Sequence, residues 1–175
     1  MMLVSTLMNT NPMMIYFGQE LGEKGMDSEG FSGEDGRTTI FDYWTVDTIR
    51  RWRNGGKFDG ALPTDEEKTL KEFYTQTLRL AEEESAFSEG LFWDLMYVNG
   101  HLDRQYAFLR SDKNKTYLVV ANFSDENITT DIRIPADAIR SLTPESEKVK
   151  NNLAHDITVS IKVKAWDGIV KKIKL

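Results

Sequence analysis

The residues best suited to chemistry lie within the first 44 positions of the chain. A glutamate lies just past the end of a short apolar run, where its carboxylate could act as an acid, a base or a hydrogen-bond acceptor. A second group combines aromatic rings with charged side chains. Such a group suits a sugar, because a ring stacks on the apolar sugar face while polar groups bond the hydroxyls. The candidate binding residues are Glu20, Arg37, Asp42, Tyr43 and Trp44.

Each candidate also has a purely structural interpretation. Glu20 could bond the backbone of its own loop, and this is the favoured interpretation because a single carboxylate lacks a catalytic partner. In the second group, Ile40, Phe41 and Trp44 could anchor the loop to the rest of the fold, while Arg37 pairs with a local acid. Both interpretations of the second group stay open for a complete enzyme, whereas the structural interpretation is favoured for the isolated chain.

A metal site is not predicted. The acidic residues of 23–35 could supply oxygen ligands to calcium, but they lack the spacing of a known loop and are better explained as a solvated segment. The two histidines, His101 and His155, are far apart in sequence and have no clustered ligands, so we expect both at the surface.

The elements that would position these residues begin with a helix over 3–8, which Pro12 separates from an apolar run at 13–17. An apolar run in which no polar residues alternate with the apolar ones predicts a strand buried on both faces, as in a parallel sheet. A Gly-rich acidic loop at 22–39 and a short helix at 47–53 follow. A helix over 64–84 is predicted with a capping box, in which Thr64 and Glu67 exchange hydrogen bonds.

After residue 90 the hydrophobic period changes to that of strands. Strands are predicted at 91–98, 104–110, 116–122, 127–134, 157–165 and 169–175, with a hairpin turn at Asn99-Gly100 and a loop at 141–152. Trp93 and Trp166 fall on strand patterns and are predicted in the core. The chain therefore divides into an incomplete α/β part, 1–88, and an all-β antiparallel sandwich, 89–175.

Composition narrows the class of partner. Net charge is −6, which disfavours binding to nucleic acid or to an anionic membrane surface, and there are no cysteines for disulfide or thiolate chemistry. No apolar stretch reaches the roughly 18 residues that span a bilayer. The sequence therefore does not indicate in which cellular compartment the protein works.

Several of these segments resemble the α-amylase family, glycoside hydrolase family 13. The run from Met13 to Gly22 resembles the last strand of its (β/α)8 (TIM) barrel, and 35–44 resembles the loop that follows this strand in bacterial α-amylases. The helix at 64–84 would be the last barrel helix. Val119-Val-Ala-Asn-Phe-Ser124 resembles the central strand of the family's C-terminal β domain. The resemblance extends over the whole chain but over only the last third of a typical member.

This resemblance implies a C-terminal part of an enzyme acting on α-glucans such as starch and maltooligosaccharides. The family is a retaining one and needs two carboxylates about 5–5.5 Å apart. These come from earlier barrel strands, and no position of this chain matches them, so we expect no activity from the chain alone. The sandwich would support the barrel, and 22–44 would help to form the rim of the substrate cleft. Calcium occurs in parts of the family but is not indicated here.

Two alternatives remain. The chain could be a free-standing carbohydrate-binding or protein-interaction module, which requires an exposed aromatic platform. It could also be a small enzyme using Glu20 with another carboxylate. In the favoured interpretation the partner is the barrel portion of the same protein, and the unpaired strand 13–17 could cause self-association.

Overall fold

The computed structural model describes residues 2–23, 46–112, 114–142 and 155–174. In chain order the helices are α1 (Met2–Leu7), α2 (Asp47–Arg53), α3 (Asp65–Glu83), α4 (Ser85–Ser88) and α5 (Ala136–Leu142), and the strands are β1 (Leu91–Asp94), β2 (Gln105–Ser111), β3 (Thr116–Asn122), β4 (Ile128–Ile134), β5 (Ile157–Val163) and β6 (Gly168–Ile173). The chain forms two compact units, 12–76 and 1–11 with 77–175. The predicted domains meet at residue 88 instead, and they stay a prediction.

The larger unit contains two antiparallel sheets. One has four strands in the order β1-β2-β3-β6, and the other pairs β4 with β5. The inward side chains of both sheets share one core, which α5 closes at one side, and in β4 and β5 they alternate with exposed residues. It includes Leu109, Leu118, Val120, Ile132, Ile134, Ile139, Ile161 and Val163. The predicted antiparallel β domain is therefore confirmed, with its strands within a few residues of their expected bounds.

The four-stranded sheet is buried on its second face as well. All seven residues of β3 are buried, so the strand shows no polar alternation. The ring of Phe87 in α4 lies 5.1 Å from that of Tyr117 on this face. Gly168 opens β6 where a Cβ would come within 2.9 Å of a Leu3 methyl group in α1. Helices α1 and α4 thus cover this face of the sheet.

Arg110 holds these helices to the sheet. Its side chain is fully buried on β2, and each guanidinium nitrogen donates a hydrogen bond to a backbone carbonyl. Nε bonds Ala86 at 3.0 Å, Nη1 bonds Met8 at 2.9 Å and Nη2 bonds Phe87 at 2.8 Å. These carbonyls lie at helix ends, where the partial charge is negative and intrahelical donors are lacking. Burial lowers the pKa of Arg110.

The predicted hairpin at Asn99-Gly100 is wrong. Strand β1 ends at Asp94, a 3-10 turn follows at Met96–Val98, and Asn99 adopts a φ of −121° rather than the positive φ of a hairpin turn. Its buried amide bridges to β4 instead: Nδ2 donates to the carbonyl of Arg133 at 2.9 Å, and Oδ1 accepts from the N–H of Arg133 at 2.8 Å. The side chain therefore satisfies a strand edge that has no neighbouring strand.

A second correction concerns the loop predicted at 141–152. Residues 141 and 142 belong to α5, whose first N–H, that of Ala136, donates to Asp156 Oδ1 at 2.8 Å. This cap comes from a residue twenty positions later, so local sequence does not reveal it. Residues 143–154 lie outside the described residues.

The smaller unit is built around α2 and the start of α3. Its capping box is confirmed: Thr64 N–H donates to Glu67 Oε2 at 2.8 Å, and Glu67 N–H donates to Thr64 Oγ1 at 3.2 Å. Glu67 also pairs with Arg51 of α2. These hydrogen bonds from Arg51 are the main reason that the pKa of Glu67 is lowered. One buried carboxylate therefore caps α3 and ties α2 to it.

The strand predicted at 13–17 does not form. Residues 12–16 have no regular structure, and Met14 and Tyr16 have exposed fractions of 78% and 40%. A strand needs a neighbour to accept and donate its backbone hydrogen bonds, and no parallel strand occurs among the described residues. The helical N-terminal part of the fold prediction is confirmed, whereas this barrel strand is absent from the residues that the structure describes.

Candidate functional site

The turn at 18–22 is the best-defined part of the predicted site. Gly18 and Gly22 have φ values of 69° and 77° and flank a single 3-10 turn, Gln19–Leu21. The Gly18 carbonyl accepts hydrogen bonds from Leu21 at 2.9 Å and from Glu23 at 3.0 Å. A Cβ at position 18 would lie 2.7 Å from the Cβ of Glu23, so only glycine fits. The Gly-x-x-x-Gly spacing therefore sets the geometry of the turn.

Side chains from the same unit hold this turn in place. Gln19 Nε2 donates to the hydroxyl of Tyr74 on α3 at 2.9 Å, and Gln19 Oε1 accepts from the N–H of Tyr16 at 3.2 Å. Leu21 is buried with Val46 and Ile49 in a small apolar cluster. The turn is thus fixed on both sides of its central residue, Glu20.

Glu20 itself is half-buried, and its carboxylate makes no hydrogen bond or ion pair with any residue that the structure describes. Its neighbour Glu23 differs, because Glu23 Oε2 accepts a hydrogen bond from Thr48. A carboxylate on a fixed turn, with its acceptor capacity unused by described residues, can accept hydrogen bonds from a ligand's hydroxyl groups. The binding role of Glu20 stays a prediction.

The other four predicted site residues, Arg37, Asp42, Tyr43 and Trp44, lie outside the described residues. The same holds for most of the acidic segment considered for calcium. Within the described ranges, no group of three or more His, Asp or Glu side chains could hold a metal ion. His101 and His155 are exposed, as predicted. Nor is any described helix long and apolar enough to cross a membrane.

An open cleft of about 600 Å³ borders the C-terminal end of α2. Its lining residues are Asp47, Arg50, Arg51, Arg53, Asn54, Gly55 and Leu62. Arg51 is held by Glu67, and Arg50 lies 3.7 Å from Asp47. The sequence analysis missed this cleft, although three arginines within four positions of a predicted helix were a visible signal. Guanidinium groups at this surface can bind hydroxyl or anionic oxygens.

The core prediction for Trp166 is wrong, whereas Trp93 packs partly buried against the core as expected. Trp166 is 70% exposed and has a φ of 56°. It lies in the turn between β5 and β6, one residue beyond the alternating pattern. The strand ends at Val163, so the alternation that placed the indole inward no longer applies. The turn at Asp167-Gly168 does lead into β6, as predicted.

Comparison with known proteins finds a family match within the larger unit. Residues 97–172 match the model of the alpha amylase C-terminal all-beta domain. No curated protein sequence matches the chain.

Solved structures share the fold at low sequence identity. AmyP in complex with maltose is 13% identical with a TM-score of 0.57, and the alignment covers 96% of this chain and 32% of AmyP. Isomaltulose synthase (PalI) from Klebsiella sp. LX3 is 19% identical with a TM-score of 0.54, covering 98% of this chain and 37% of the synthase. A MutB variant in complex with sucrose is 18% identical with a TM-score of 0.50 and the same coverage. The chain spans about a third of these proteins.

Proposed function

We propose that this chain, which resembles the C-terminal part of an α-amylase family protein, stabilises the catalytic barrel of an enzyme acting on α-glucans. The β domain would form its outer support, and residues 12–22 would complete the barrel as its last strand and turn. Carbohydrates in the solved relatives, maltose with AmyP and sucrose with MutB, are consistent with a sugar substrate.

The observation that supports this proposal best is the exposure of an apolar run. Met14 and Tyr16 lie in a segment whose sequence is typical of a strand buried on both faces, yet both are exposed. Residues 18–22, which follow this segment, form an ordered turn. An apolar strand sequence without a sheet, joined to an ordered turn, is what a barrel strand becomes when its neighbours are missing.

A role at the substrate cleft follows from the same arrangement. In barrel enzymes the active site lies at the carboxyl ends of the strands. Glu20 lies three residues past the run 13–17, and we propose that its carboxylate accepts a hydrogen bond from a hydroxyl group of the bound glucan. The segment carrying Arg37, Asp42, Tyr43 and Trp44 would form the rim. The chain would contribute binding and support, and the carboxylates that break the bond would come from the barrel.

Hydrogen exchange tests the strand proposal. In the chain alone, the amides of Met14 and Ile15 should exchange about as fast as those of an unstructured peptide, because no strand pairs with them. In a protein made by extending the reading frame upstream, the same amides should be protected by barrel strands. Equal exchange in both proteins would contradict the proposal.

Enzyme kinetics on the extended protein test the cleft role. Trp44→Ala and Glu20→Gln should each raise KM for maltooligosaccharides, whereas Tyr97→Ala, at an exposed aromatic of the β domain, should leave KM unchanged. If Trp44→Ala and Glu20→Gln both behave like wild type, the rim assignment is wrong. Hydrolysis of maltooligosaccharides by the 175-residue chain alone would instead favour the small-enzyme alternative.

A further inference from the structure

The turn that carries Glu20 is held by two helices of its own compact unit, α2 and α3. On α3, Tyr74 is buried, and its hydroxyl accepts a hydrogen bond from Gln19 Nε2 at 2.9 Å. On α2, the hydroxyl of Thr48 donates to Glu23 Oε2. These two hydroxyl groups therefore fasten the turn before and after its central residue.

The backbone of the turn carries these two contacts to Glu20. Gln19 is the residue immediately before Glu20. The N–H of Glu23 donates to the Gly18 carbonyl at 3.0 Å, and the same carbonyl accepts from the N–H of Leu21 at 2.9 Å. A shift of Gln19 or Glu23 therefore moves the peptide groups on either side of Glu20.

The Glu20 carboxylate depends on this backbone for its position. It makes no hydrogen bond or ion pair with any other residue of the described ranges, so no side chain orients it directly. A binding group must be held within about 0.5 Å of its productive position. A displacement of about 1 Å, caused by a change far from the ligand, can lower a rate by up to about a hundredfold.

We infer that Tyr74 and Thr48 are positioning residues, which set the affinity of Glu20 for a sugar hydroxyl through the backbone of the turn. The binding role of Glu20 in this inference rests on the proposed function. The clamp formed by the two hydroxyl groups rests only on contacts within the 175-residue chain. A purely structural role for the same hydroxyl groups would change stability but would not depend on the Glu20 carboxylate.

Hydrogen exchange in the 175-residue chain tests the clamp. The amides of Leu21 and Glu23 report on the closed turn, because both donate to the Gly18 carbonyl. Tyr74→Phe and Thr48→Val each remove one hydroxyl group and keep the shape of the side chain. Each should raise the exchange rates of these amides about threefold or more, as expected for the loss of one neutral hydrogen bond. Unchanged rates in both variants would overturn the clamp.

The matched controls remove hydroxyl groups at exposed positions. Tyr97→Phe changes an exposed tyrosine of the larger unit, and Thr69→Val changes an exposed threonine of α3. Neither control should change the exchange of the turn amides. A rise in both controls equal to that in Tyr74→Phe would show a general loosening of the chain and would overturn the clamp.

A double-mutant cycle on the protein extended upstream tests the positioning role. Tyr74→Phe should raise KM for maltooligosaccharides about threefold or more, the effect of one neutral hydrogen bond, and should leave kcat nearly unchanged. In a Glu20→Gln background the same substitution should have no further effect on KM, because the carboxylate that Tyr74 positions is gone. Thr48→Val should behave in the same way. An equal rise of KM in both backgrounds would overturn the positioning role.

Failure of this inference differs from failure of the proposed function. If Glu20→Gln itself leaves KM unchanged, the proposed binding role of Glu20 is wrong, and the positioning role is wrong with it. If Glu20→Gln raises KM whereas Tyr74→Phe and Thr48→Val do not, only the positioning inference is overturned.

Discussion

Replacing Arg110 with methionine should strongly destabilise the larger unit. The wild-type side chain is fully buried and donates to the carbonyls of Met8, Ala86 and Phe87. Methionine has a similar length and fills much of the same space, but it cannot donate a hydrogen bond. The substitution therefore leaves three buried or part-buried carbonyls without their partner and separates the ends of α1 and α4 from the sheet.

The expected magnitude follows from these contacts. A buried polar group left without its partner costs about 1–3 kcal/mol. Three such groups would sum to several kcal/mol, and removal of the buried charge offsets part of this because its desolvation is no longer required. We expect a net loss of about 3–5 kcal/mol, toward the lower end of that sum, because the bond to the Met8 carbonyl is only part-buried and the desolvation of the charge is recovered. Arg110→Lys should recover only part of this loss, since one ammonium group cannot reach all three carbonyls.

Urea unfolding, followed by circular dichroism and tryptophan fluorescence, measures this change. Arg104→Met is the control, because Arg104 is exposed and its contact with Asp125 is a surface ion pair. Arg104→Met should lower the free energy of unfolding by about 0.5 kcal/mol or less. If Arg110→Met lies within the same small range, water or rearranged helices satisfy the three carbonyls, and the assignment of Arg110 as the link between helices and sheet is refuted.

Three further predictions concern buried polar groups. Asn99→Ala should lower the free energy of unfolding by about 2–4 kcal/mol, because the backbone groups of β4 that Asn99 bonds lose their partner. Asn114→Ala is the control at an exposed position and should have almost no effect in the same urea titration. The lowered pKa of Glu67 means that its stabilising contribution is present above its ordinary value of 4.5 and is lost as the pH falls through the lowered value. Between pH 6 and pH 4, the free energy of unfolding measured in urea should therefore fall more for the wild type than for Glu67→Gln. An equal fall in both proteins would contradict the Arg51 contact. Burial and a hydrogen bond to Glu84 raise the pKa of Tyr117 to about 12, so an ultraviolet titration should show a late-ionising tyrosine that Tyr117→Phe removes, and wild-type stability should fall as the pH rises from 10 to 12.

Residues whose partners are close in sequence were predicted well. Thr64 and Glu67 stand three positions apart, and their capping box forms as expected. Strand β3 has its predicted bounds because continuous apolar residues leave little choice of period. Strand β5 ends two residues early, at Val163, and this shift moved Trp166 from the predicted core to the surface.

The predictions that failed depended on partners far along the chain. Asn99 fits a hairpin turn by sequence, but its amide bonds Arg133, thirty-four positions later. The run 13–17 has the composition of a buried strand, but a strand forms only when another backbone lies beside it. Of the candidate site, the sequence placed Glu20 just past the end of the apolar run 13–17. The structure shows that Glu20 lies in a turn between Gly18 and Gly22, which Gln19 fixes through its hydrogen bond to Tyr74.

Sequence alone determined the class of fold, because the period of apolar residues is a local property of each segment. It indicated an antiparallel β domain after residue 90 and gave the family resemblance that the match over 97–172 supports. Only the tertiary structure decided which polar groups are buried and which aromatic ring is exposed. Arg110 has the sequence appearance of a surface residue on an edge of a strand pattern, yet three distant carbonyls make it a buried link. Such pairings depend on positions in space, where residues a hundred positions apart become neighbours.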